Sequence, residues 1–346
     1  MKMIKHMAYA ALAAAVAVGI TGCGSKVDYS QPKVAEGTIV AMVGRSANAT
    51  SLKPICEKYG LASNDLSQLP KEVKDVIADS GLDKADVKWV AVTIGDISAA
   101  LKDKGAPDAA VAIAATFNLD TAVAAVEKKL KEKKEEVTFK KTTIAGVPAY
   151  EIHSKDEKVV PCIASLDGQL FLGTASAASL EKQIGLYRDG KGSSKDFGAF
   201  ALGANDIIRT KAVKVGDNVK KNLPDPEMLK AVNQIIPDGD KIVLGLGALD
   251  ITLTASGDGK DIKLDMSVET AADADADKIA AIAKTGLMTF TAQMKEGAAK
   301  DADAKAAYDV LQGTKIEAKG KVITLSASTA ADPAMKALAD KAKAIK

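Results

Sequence analysis

Beyond its first 35 residues the chain alternates between two apolar patterns. Short β-branched and Ala-rich runs, such as WVAVTIGDI (89–97), QLFLGT (169–174), ITLTAS (251–256) and DIKLDMSV (261–268), have the length and turn-bounded character of strands. Between them lie stretches of helical period. Leu119, Val123, Val126 and Leu130 fall on one face, which predicts a helix over about 119–134 with Asn118 or Asp120 as its N-cap. Ile279, Ile282, Leu287, Phe290 and Met294 place a second, longer helix in the later part of the chain, also with one apolar face. Asp167-Gly168 and Gly257-Asp258-Gly259 separate adjacent apolar runs and read as hairpin turns.

The order of these signals recurs at an offset of about 153 residues, the mark of an internal repeat. WVAVTIGDI (89–97), preceded by the helix-like EVKDVIADSG, lines up with IVLGLGALDI (242–251), preceded by PEMLKAVNQI. The strand-then-helix stretch 108–130 lines up with 261–287, and DGQLFLGTASAASLEKQI (167–184) with KGKVITLSASTAADPAMKAL (319–338). The economical arrangement is α+β: two similar halves, 36–190 and 191–346, each an antiparallel sheet with helices packed on one face.

Residues 1–22 carry Lys2 and Lys5 ahead of a short apolar run and end in small residues, the layout of a secretory signal peptide. The apolar run is too short to span a bilayer comfortably. Its end, Ile20-Thr21-Gly22-Cys23, resembles the lipobox of bacterial lipoproteins. That resemblance implies a diacylglycerol on the Cys23 sulfur, an acyl chain such as palmitate on its amine, and residence in the cell envelope, anchored to a membrane by lipid. Gly24-Ser25 after the cysteine, in place of an Asp, favours the outer membrane over the inner under the family's sorting rule. Residues 24–35 mix Gly, Ser, Pro and charge without a period; with Cys23 they form a lipidated N-terminus and tether, 23–35, of mean reach about 20 Å.

Charge and composition then narrow the function classes. The 47 basic residues less Lys2 and Lys5 equal the 45 acidic ones, so the mature chain is neutral and carries no electrostatic footprint for nucleic acid. Aromatics make up 4% of the chain, little material for stacking platforms. The run EKKLKEKKEE (127–136) holds both signs at helical spacing and reads as a solvated helix end. Cys56 and Cys162 stand either as a disulfide pair in an oxidising compartment or as two small buried thiols.

Motifs with chemical potential each fall short. GLYRDGKG (185–192) has Gly192 where a P-loop needs a hydroxyl, and it follows a helix rather than opening one. Ser179-Leu-Glu-Lys182 with Lys284-Thr285-Gly286 resembles part of the set in penicillin-interacting serine enzymes, but the intervening element is missing. Asp273, Asp275 and Asp277 lack the Gly and terminal Glu of a calcium loop and suit the first turn of a helix. Gly245-Leu-Gly247 lacks the third glycine of a dinucleotide fingerprint and reads as part of an apolar strand. His153 has no nucleophile pattern beside it, and Trp89 opens a strand as a packing residue.

No catalytic, cofactor or metal set is thus assigned. The body resembles uncharacterised duplicated α+β domains of secreted bacterial proteins, a likeness that brings no function with it. The expectation is a non-catalytic structural or binding module, with a protein partner or an apolar ligand. Its alternatives are a carrier or sensor of an apolar ligand such as a lipid, and an envelope enzyme without a recognisable motif.

Overall fold

The structure, a computed structural model, describes residues 29–45, 50–59, 79, 87–96, 108–155, 159–190, 192–198, 200–222, 233, 238–299 and 302–344. Cys23, the signal-like stretch and, but for residues 79 and 233, the expected helices at 72–81 and 226–235 lie outside these residues. The elements run β1 (Val40–Gly44), α1 (Lys53–Lys58), β2 (Trp89–Ile94), β3 (Ala109–Ala114), α2 (Leu119–Glu132), β4 (Val137–Ile144), β5 (Val147–Ser154), β6 (Cys162–Leu166), β7 (Leu170–Thr174) and α3 (Ala177–Asp189). They continue β8 (Asp206–Val213), α4 (Val215–Asn222), α5 (Gly239–Leu244), β9 (Ala248–Ala255), β10 (Asp261–Glu269), α6 (Asp273–Ala298), α7 (Ala302–Gly313), β11 (Lys315–Lys319), β12 (Val322–Ala330) and α8 (Ala331–Ala344). Helices and antiparallel strands make this an α+β protein.

The chain divides into two compact units, the first holding residues up to 49 and 62–202, the second 50–61 and 203–346. This partition departs from a cut at 190/191 for two local reasons. Residues 192–194 stay with the first unit through the Ala35–Ser193 bridge and the Ser194 N–H donating to Val34 O at 2.8 Å. The segment carrying α1 joins the second unit, where Ser51 Oγ donates to Ser256 O and both Lys58 Nζ (2.7 Å) and Tyr59 Oη (3.0 Å) reach the Asp332 carboxylate.

In the first unit the strand order is β1-β2-β3-β7-β6-β5-β4, antiparallel at every pair. Two turns of the same chemistry set its register: Ala145-Gly146 and Asp167-Gly168 each hold two successive residues at positive φ, the backbone a two-residue hairpin needs. Asn118 caps α2, its side-chain oxygen accepting from Thr121 N–H at 3.0 Å. Leu119, Ala122 and Val123 of that helix pack on Ile113, Tyr150, Ile163 and Phe171.

Helices cover both faces of these central strands, not one. Phe171 faces α2, whereas Trp89, Ala114 and Leu170 are cross-strand neighbours on the opposite face. There Trp89 stacks on Tyr187 of α3 with ring centroids 6.4 Å apart. Leu170, Leu172, Leu180 and Ile184 are consequently excluded from solvent, each contributing roughly 1.5–3 kcal/mol of apolar burial. Such a strand must be apolar on alternate and intervening positions alike, which is how Leu-Phe-Leu reads.

The segment expected to be a tether is packed from Tyr29 onward. Trp89 Nε1 donates to Tyr29 O (3.0 Å) and Tyr29 Oη donates to Asp167 Oδ2 (2.9 Å). Gln31 and Leu202 exchange two bonds, Leu202 N–H to Gln31 Oε1 at 2.9 Å and Gln31 Nε2 to Leu202 O at 3.3 Å. Lys33 N–H donates to Tyr187 Oη at 3.0 Å, and Val34 and Ala35 are buried. The polar side chains that suggested a loose linker are those that tie it down, leaving 24–28 as the part of the tether outside the described residues.

The second unit runs β8-β9-β10-β12-β11, again antiparallel. The stretch 242–251 is not one strand. Ile242 to Leu244 end α5, Gly245 is its C-cap with N–H bonded to Lys241 O at 2.9 Å, and β9 starts at Ala248. The two glycines belong to this helix-to-strand passage and not to an apolar strand. On α6, Ala276, Ala280, Ala283, Ile279 and Leu287 pack with Ile316, Ile323, Val268 and Leu325 of the sheet.

Candidate functional site

The Ser179–Lys182 pair is the nearest the first unit comes to a nucleophile. Ser176 caps α3 by accepting from Ser179 N–H (3.2 Å), and Ser179 Oγ lies 3.5 Å from Asp108 Oδ1. Lys182 Nζ pairs with Asp108 Oδ2 at 3.8 Å, with about two-fifths of each side chain in solvent. The serine and lysine are therefore gathered by a carboxylate at the surface. Lys284-Thr285-Gly286, which a penicillin-interacting enzyme places on a strand edge, sits in the middle of α6 in the other unit.

The remaining candidates are likewise accounted for by their surroundings. His153 Nε2 lies 3.1 Å from Glu151 Oε2, a pair on one face of β5. The P-loop-like stretch ends α3, with Gly190 as a left-handed C-cap accepting no role at a helix N-terminus. Asp273 and Asp275 occupy the first turn of α6, where the helix dipole favours acids. Among the described residues no group of three potential ligands is placed to hold a metal. In the charge run, Lys128 pairs with Asp79 (3.1 Å) and Lys129 with Glu132 (3.1 Å).

Cys56 and Cys162 are both free and buried in this structure. Cys56 lies on α1 in the second unit and Cys162 opens β6 in the first. Burial, with Glu151 adding to it, pushes the Cys162 thiol up to about 11; burial and then Glu57 raise that of Cys56. A neutral thiol is a poor nucleophile and a poor metal ligand.

The feature best suited to contact is on α6. Ala281, Ile282, Thr285, Gly286, Thr289, Phe290 and Gln293 line an open, predominantly apolar groove of about 580 Å³. Phe290 is 54% exposed. The helix thus carries two apolar stripes. The expected single face is split: Ile279 and Leu287 turn to the sheet, while Ile282 and Phe290 turn to the groove. The cause is that alanines 276, 280 and 283 bring the helix close to the sheet and take the place expected of larger residues. The i, i+4, i+8 recurrence of Ile282, Gly286 and Phe290 is the signal in the sequence that a second stripe exists.

No helix among the described residues is long and apolar enough to cross a membrane. No known protein family matches the chain, and no curated protein does. Among solved structures, crystal form I of TP0453 aligns over 88% of this chain and 94% of its own at 8% identity and a TM-score of 0.36, a likeness too distant to bring function across.

Proposed function

We propose that the protein is a lipid-anchored component of a bacterial cell envelope whose body is a non-catalytic structural or binding module. The anchor is supported by Lys2, Lys5, the apolar run and the Ile20-Thr21-Gly22-Cys23 lipobox. The observation that carries binding is the uncovered groove on α6, where Phe290 stands more than half in water beside the partly exposed Ile282 and the small residues Ala281 and Gly286. Isolated surface apolar residues are ordinary, whereas a run of them on one helix marks a contact surface. Cys23→Ala tests the anchor, since the variant loses both the acyl mass and the membrane fraction. Retention of either removes this reading.

A second reading, a carrier of an apolar ligand, draws on the predominantly apolar lining of the same open groove. Solvent extraction of the purified protein followed by mass spectrometry separates the two, because a carrier yields stoichiometric lipid and a contact surface yields none. The internal repeat is part of the same proposal. It is supported by the strand orders β1-β2-β3-β7-β6 and β8-β9-β10-β12-β11, with a helix following β3 and β10 and another following β7 and β12.

A further inference from the structure

The packing of residues 29–36 fixes where a lipid anchor holds the first unit. Six residue steps separate Cys23 from Tyr29, at most about 22 Å of fully extended chain. Tyr29 does not belong to a tether: its carbonyl accepts from Trp89 Nε1, its hydroxyl donates to Asp167, and it is buried. The restraint therefore acts on the fold itself, at one end of one sheet.

That end can be named from the strand directions. Trp89 starts β2, Ala114 ends β3, and the 167–168 turn joins β6 to β7; the antiparallel register brings these together. The 145–146 turn between β4 and β5 lies at the same end, since turns of a meander alternate. At the opposite end are Ser154 and Lys155, the Ser176 cap of α3, and Asp108. Strand β5 runs from Val147 to Ser154, a length of about 24 Å at 3.4 Å per step. That length is slightly more than the full extension of the linker and well above its mean reach of about 13 Å. The near end therefore meets the membrane with the linker relaxed, whereas bringing Ser154 and Lys155 there instead needs the linker stretched out or Tyr29 out of its site.

We propose that the end of the first unit carrying Tyr29, Lys88 and the Asp167-Gly168 turn rests at the phospholipid headgroup surface, with the Ser154–Lys155 end directed away from it. The pinned segment 29–36 makes the anchor an orienting device as well as an attachment. This rests on the lipid-anchor reading. It adds the surface that meets the bilayer.

The test uses the full, lipid-modified protein in vesicles of phosphatidylethanolamine and phosphatidylglycerol containing a headgroup-linked quencher. A fluorophore is placed on Lys88→Cys or, in a separate protein, on Lys155→Cys; both positions are exposed, and the buried Cys56 and Cys162 stay unlabelled in the folded protein. The expected result is severalfold stronger quenching at 88 than at 155. Inserting about a dozen Gly and Ser residues after Ser25 lengthens the reach and should bring the two values together. Equal quenching at both sites without the insertion, or stronger quenching at 155, in protein that floats with the vesicles overturns the orientation and leaves the anchor standing. Failure of the wild-type protein to float overturns the anchor, and the orientation with it.

Discussion

Tyr187→Phe removes one oxygen from a fully packed site and tests whether the N-terminal segment is held as described. Tyr187 is 1% exposed, and its hydroxyl accepts the Lys33 N–H at 3.0 Å. Burial pushes the phenol pKa well above its ordinary value, with the Lys33 amide acting in the opposite direction. Phenylalanine keeps the ring and its stacking on Trp89, so the loss is confined to the bond and to the amide left without a partner. An unsatisfied buried donor costs about 1–3 kcal/mol, partly offset by no longer burying a hydroxyl, which places the expected value near 1–2 kcal/mol. With a urea slope of about 2 kcal/mol/M the midpoint falls by about 0.5–1 M. Trp89 is the single tryptophan, and it reports the transition directly because its indole donates to Tyr29 and stacks on residue 187. Hydrogen exchange at the Lys33 amide should accelerate in parallel. An unchanged midpoint together with unchanged exchange at Lys33 would refute the claim that this contact pins the segment.

Three further outcomes follow from named contacts. Leu287→Ala, which empties a position packed on the sheet, should cost about 2 kcal/mol or more, whereas Phe290→Ser, 54% exposed, should move the urea midpoint by less than the equivalent of about 0.5 kcal/mol; reversed magnitudes would mean the two stripes of α6 have been misassigned. Gly259 sits at φ 70° and an added Cβ would run into the Ser51 carbonyl, so Gly259→Ala combines a left-handed backbone cost of about 1–2 kcal/mol with a backbone clash, and a chemical-denaturation shift under 1 kcal/mol would contradict it. Cys162, raised to about 11 from an unfolded value near 8.5, contributes stability that is complete below about pH 8.5 and is lost as pH rises through about 11; native-state alkylation at pH 8 should be slow, with rapid modification counting against a buried neutral thiol.

What could be read from the sequence was what neighbours in the chain decide. Asn118 and the Leu119, Val123 spacing located α2 because a cap and an amphipathic face are complete within one segment. The 167–168 turn was equally local, needing only two residues that accept positive φ. Residues 29–35 read as a linker because their polar side chains find partners 138 to 171 positions away, at Asp167, Tyr187 and Leu202. No window around Gln31 contains that information.

The groove on α6 shows the same division most sharply. Both stripes of the helix are visible as periodicities, and hydrophobicity alone favours burying the isoleucine and phenylalanine positions over the alanines. The choice is made by Ile316 and Ile323, whose side chains fill the space that Ala276 and Ala280 leave. Small residues on the helix paired with branched residues on the strand allow close approach at native packing density, so the larger Ile282 and Phe290 are turned outward. Their exposure is thus a consequence of how the core is packed, and it is available for function at no loss to the fold. A serine at position 290 ought to be tolerated for that reason, and a lost contact partner with retained stability is the signature that would separate binding from folding at this surface.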